Sequence, residues 1–172
     1  MSARLSTAIR ISEAAKAILK KTRSFPDPTV RDLAELREHE HVGVEPMLLA
    51  LSMELALKAW FVFDYDDPKV AKSHNLIKLF ESLTPESQKR LDDEFKRSVA
   101  QNHPHGILFL DYGIRHILFQ HQNAFIDWRY LHEAKASMMF DQSAFEATLE
   151  MVIREFDKRY RTEPVPLLRP ES

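Results

Sequence analysis

Cysteine is absent from this chain, and glycine occurs only as Gly43, Gly106 and Gly113. Without cysteine there is no disulfide, no thiolate metal site and no cysteine nucleophile. The absence fits a reducing compartment, and a cytoplasmic location is the expectation. Tight hairpins draw heavily on glycine, so its scarcity argues against a sheet-rich fold. Charge of one sign is lacking too. Lysine and arginine number 24 against 26 aspartates and glutamates, for a net charge of -2. A chain so balanced does not coat nucleic acid by bulk charge, although a local basic site stays open. Long uninterrupted apolar runs are also missing. The longest, Met47 to Phe63, has 17 residues and contains Glu54 and Lys58. A membrane span needs about 20 residues free of internal charge, so this run reads as a helix buried on most sides, with no membrane partner. The start, "MSARLSTAIRISEAAKAILKK", lacks the continuous apolar region of a signal peptide. No internal repeat or low-complexity tract is present.

What is there is helical. The 172 residues, 44% hydrophobic and 29% charged, fit one globular domain. Leu5, Ile9, Ser12, Ala15 and Leu19 form a mostly apolar stripe over residues 3–21. "SFPDP" breaks it, and Thr29, with Asp32 three residues on, caps a second helix with Val30, Leu33 and Leu36 inward. Pro46 suits the first turn of the Met47–Phe63 helix. Ser73 can cap a short helix with Leu76, Leu79, Phe80 and Leu83 apolar. Thr84, Pro85 and Glu86 then open a mostly charged helix to about Gln101, its narrow apolar stripe being Leu91, Phe95 and Val99. A long helical stretch over 107–133 bends near Asn123. Asp141 or Ser143 caps the last helix, with Phe145, Leu149, Val152, Ile153, Phe156 and Tyr160 on one stripe. The fold class is all-α, an up-and-down bundle of about seven helices. A single domain covers 1–161, and a proline-containing tail covers 162–172.

Several residues could carry chemistry. Glu54 and Lys58 are four apart with the acid first, the favourable order for a helical ion pair, and their neighbours are apolar. They are either a structural brace or, with His74, the polar lining of one pocket. "EHEH", Glu38 to His41, and His103 with His105 around Pro104 offer histidines without a spacing that names a metal site. No cofactor is implied. "RHILFQH" places Arg115 six residues before His121. A histidine can take the proton from a ribose 2'-hydroxyl, and an arginine can hold the phosphate, without a metal. On one ideal helix the two side chains point about 120° apart, so convergence needs a bend or a second subunit. The spacing is loose, and chance alone yields about two such matches in this composition. The chain has two, Arg115–His121 and Arg97–His103, and the apolar helical context favours the first. In "AFIDWRYLHE", Phe125 and Trp128 share a face and Arg129 can pair with Glu133.

"SMELALKAWF" followed by "SHNLIKLF" resembles the first half of the HEPN superfamily of helical domains, in which an E-x-x-x-K helix precedes a short helix opening with histidine. "HQNAFIDWRYLHE" is similar to a segment common in its prokaryotic members. The likeness covers residues 47–133, within a HEPN-like core of about 47–160. It implies a bundle of four to five core helices, often dimeric. It also implies a metal-independent endoribonuclease in which Arg115 binds phosphate and His121 is the general base. In this chain His116 follows the arginine, where a small polar residue is usual. Toxin–antitoxin, defence or RNA-processing settings go with the family, and hence RNA, a cognate antitoxin or a second copy as partners. Members without the motif act as binding modules. Here such a module would bind RNA, a nucleotide or a protein through Glu54, Lys58, His74 and Arg129. A metal-dependent helical enzyme is the third reading, and the ligand spacing supports it least.

Overall fold

Small side chains bring the first two long helices together. The computed structural model describes residues 3–24, 44–65, 72–103, 112–130 and 139–162. In it α1 spans Ala3–Thr22 and α2 spans Val44–Tyr65. Ala8, Ser12 and Ala15 are buried on one face of α1. Ser52 of α2 donates its hydroxyl to the Ala15 carbonyl at 2.7 Å, so the stripe read from the sequence becomes a close seam between helices. By length and composition α2 could cross a membrane, yet most of it is buried within the fold. Its neighbours are α1, α3, α6 and α7.

The last helix, α7 (Gln142–Thr162), lies against α2. Phe145, Leu149, Val152, Ile153 and Phe156 are buried, and Tyr160 packs partly buried beside them, as the periodicity requires. Asp141 is the cap, accepting the Ala144 N–H at 3.1 Å. Trp60 is fully buried between α2 and α7. Its Nε1–H donates to the Val152 carbonyl at 3.1 Å, and its ring meets Phe156 edge-on at 6.0 Å. Such an indole contributes apolar area while its one donor stays satisfied.

α4 (Pro85–Ser98) begins as its sequence dictates: Thr84 Oγ1 accepts the Ser87 N–H at 3.3 Å and Pro85 sits in the first turn. That cap is joined to the end of α2. The buried Asp64 carboxylate accepts the Thr84 N–H and hydroxyl, each at 3.1 Å, and the Ser87 hydroxyl at 2.8 Å. Arg159 of α7 pairs with the same carboxylate, its guanidinium 5.2 Å from the centre of the Trp60 ring and 4.7 Å from that of Phe63. One carboxylate therefore ties three helices.

Two local expectations change. α3 (Leu76–Glu81) is capped by Asn75, not Ser73: Asn75 Oδ1 accepts the Lys78 N–H at 3.0 Å, while Ser73 Oγ accepts the Asn75 N–H. The described part of the long stretch over 107–133 is two helices, α5 (Ile114–Gln120) and α6 (Ala124–Arg129), with a turn at His121–Asn123. No proline or glycine marks this break. It is held by tertiary bonds: the Gln122 carbonyl accepts the Leu76 N–H at 2.9 Å, and Asn75 Nδ2 donates to Gln122 Oε1 and Asn123 Oδ1. A carbonyl released from one helix thus satisfies an N-terminal amide of another. The helix expected after Thr29, and the tail beyond α7, lie outside the described residues. The seven helices among the described residues form an all-α bundle.

Tyr112, just before α5, packs edge-on against Phe95 at 5.2 Å. Burial, helped by the negative charge of Asp141, pushes its hydroxyl from 10.0 up to about 12. A neutral phenol favoured in the fold gives stability that is complete below the unfolded value and lost as pH rises toward the folded one. Between pH 10 and 12, thermal unfolding of the native protein should therefore lose more stability than that of Tyr112→Phe. Parallel losses in the two proteins would remove Tyr112 as the cause.

Candidate functional site

Glu54 and Lys58 occupy successive turns of one face of α2, as their spacing requires. Lys58 Nζ donates to Glu54 Oε1 at 2.6 Å. Glu54 is only 3% exposed, so its carboxylate needs a partner for each oxygen to offset desolvation. The second partner comes from the segment before α3. His74 Nδ1 lies 2.9 Å from Glu54 Oε2. The His74 side chain is 51% exposed, and its ring stacks on Phe125 of α6 with centroids 4.9 Å apart and planes at 30°. The position of His74 is fixed from its C-terminal side as well, because Asn75 and Leu76 are hydrogen-bonded to the α5–α6 turn.

The structure therefore brings three of the four pocket residues, Glu54, Lys58 and His74, into one hydrogen-bonded cluster where α2, α3 and α6 meet. Arg129 is exposed, with its guanidinium 5.5 Å from the Tyr130 ring centre. It lies one turn beyond Phe125 on the same face of α6. Among the described residues no hydrogen bond or ion pair joins it to the other three, and Glu133, its expected partner, lies outside them. Phe125 and Trp128 do not fill one core face. Both are half-buried, and Trp128 meets Phe140 edge-on at 6.1 Å while Phe125 covers His74. Phe125 and Asn75 are the positioning residues that the sequence reading missed. The i, i+4 spacing of Phe125 and Arg129 was the available signal for the first.

Arg115 and His121 have different surroundings. Arg115 is exposed and paired with Glu81 of α3. His121 ends α5, is 3% exposed, and packs against the rings of Phe140 at 4.6 Å and Phe145 at 5.3 Å. The angular separation expected on one helix is thus realised as one residue outside and one inside. Arg115 faces solvent, while the His121 imidazole of the same chain is packed between aromatic rings. His116 Nδ1 accepts the Gly113 N–H at 3.3 Å and so helps close the start of α5. In the other match, Arg97 is engaged by Glu94.

A shallow groove beside α5 is lined by Ile77, Arg115, His116 and the exposed Phe119. On the adjoining α4 surface Lys89 pairs with Asp93 and Lys96 with Asp92, so carboxylates offset these cations. Among the described residues no group of three or more histidines and carboxylates could hold a metal ion. His39, His41 and His105 lie outside those residues. No family model matches the chain, and no curated protein or solved structure matches it either.

Proposed function

We propose that this chain is an HEPN-like helical module that holds a phosphate-bearing ligand, a nucleotide either free or within RNA, where α2, α3 and α6 meet. The observation that carries this reading is the cluster itself: Lys58 and His74 are held by one buried carboxylate beside an aromatic ring. One hydrogen bond to Glu54 engages Lys58, and an ammonium has three donors, so two can face a phosphate. Arg129 supplies a second cation from the adjoining face of α6. Charge-assisted bonds of this kind are the usual means of holding phosphate. The burial of His121 away from the exposed Arg115 supports this site over the ribonuclease pair. A toxin–antitoxin, defence or RNA-processing setting, implied by the resemblance, goes with this reading.

Calorimetric titration with adenosine 5'-monophosphate and with a short adenylate RNA tests it. Binding should weaken about tenfold in Arg129→Ala, the loss expected for one hydrogen bond to a charged group, and stay unchanged in Arg115→Ala. No binding of either ligand would overturn the proposal. RNA cleavage in EDTA that is lost in His121→Ala and leaves 2',3'-cyclic phosphate ends would replace it with the ribonuclease reading.

A further inference from the structure

The Glu54–His74 contact does more than fill a lone pair. Lys58 donates to one carboxylate oxygen of Glu54, and the other faces His74 Nδ1 at 2.9 Å. A carboxylate is an acceptor only, so Nδ1 must be the donor in this bond. In a neutral imidazole that choice places the single proton on Nδ1 and leaves Nε2 as an acceptor. The same device, a carboxylate fixing the tautomer through the inner nitrogen, orients histidines whose outer nitrogen does the work. Two further restraints hold the ring. Phe125 stacks on it, and Asn75, the next residue, is bonded to Gln122 and Asn123. The side chain is half exposed, with Nδ1 the nitrogen turned to the buried carboxylate.

The cluster therefore presents two kinds of group side by side: donors on Lys58 and a fixed acceptor on His74. A fully deprotonated phosphate would use the donors alone. A ligand that satisfies both carries a hydroxyl or amine next to its anionic group. We infer that His74, positioned by Glu54, reads a ribose hydroxyl of the bound nucleotide, so that the site prefers ribonucleotides to their dideoxy counterparts. This rests on the nucleotide reading above and adds the selectivity of the same site. The ribose hydroxyls are donors that every ribonucleotide carries close to its phosphate, whatever its base.

Titration of the full chain with adenosine 5'-monophosphate and with 2',3'-dideoxyadenosine 5'-monophosphate tests the inference. The ribonucleotide should bind about tenfold more tightly, the effect of one hydrogen bond at a half-exposed acceptor. In His74→Asn the amide nitrogen can still donate to Glu54 in place of Nδ1, but no atom stands in for Nε2. The preference between the two nucleotides should then vanish, and a preference kept in this variant would overturn the inference. Equal binding of the two nucleotides by the native chain would overturn the inference and leave the phosphate reading intact. Failure of both to bind would overturn the two together. Long-range proton–nitrogen NMR of the neutral imidazole gives a readout independent of any ligand. A proton on Nδ1 is expected, and a proton on Nε2 would overturn the inference.

Discussion

Asp64→Ala is expected to lower stability by about 3–5 kcal/mol, the usual effect of removing one member of a buried ion pair. The carboxylate is fully buried at the end of α2. It accepts from Thr84, Ser87 and Arg159, which belong to the α4 cap and to α7. Deleting it removes the carboxylate that faces the guanidinium of Arg159 and the acceptor that ties the α4 cap to α2. A domain is usually stable by only about 5–15 kcal/mol, so this single change consumes a large part of the margin. Urea denaturation reads the loss directly. Adding Arg159→Met should recover part of it, because the cation that faced the carboxylate is then gone and an apolar stem remains beside Trp60 and Phe63. A loss below about 1 kcal/mol would mean that the pair behaves as a solvated surface bridge.

Trp60→Ala should cost a similar amount, about 3–5 kcal/mol, for a different reason. The indole is fully buried, and its removal opens a cavity between α2 and α7 that the surrounding side chains fill only in part. It also removes the indole N–H bond to the Val152 carbonyl and a ring from beneath Arg159. Because Arg159 belongs to both sets of contacts, the losses from Trp60→Ala and Asp64→Ala should not add. A coupling of about 0.5–3 kcal/mol between them is expected from a double-mutant cycle. Strict additivity would show that the aromatic contact and the ion pair act independently.

The long helices were legible because their evidence is periodic and local. The stripe of α7, the Thr84–Pro85 start of α4 and the Glu54–Lys58 spacing need no partner to be recognised. The break at His121–Asn123 was not legible as a break, only as a bend. It contains no proline or glycine, and the bonds that hold it come from Asn75 and Leu76, more than forty positions away in the chain. The cap of α3 was misplaced for a related reason. Ser73 and Asn75 are both competent, and only the path of the chain decides which side chain reaches the Lys78 N–H. In the candidate site, residue types on one helix face were readable, but the stacking of Phe125 on His74 was not. It depends on how α6 is set by the same turn. The Arg115–His121 spacing shows the opposite weakness: a pattern visible in one dimension, with its two ends in different environments.

That turn has a spatial consequence. His74 is anchored below by a carboxylate on α2, covered by a ring on α6, and followed by two residues bonded to the link between α5 and α6. The outer end of α5 carries the exposed Phe119, next to this link. The groove face and the polar cluster therefore meet at one link, since the Gln122 carbonyl that receives the Leu76 N–H stands three residues after Phe119.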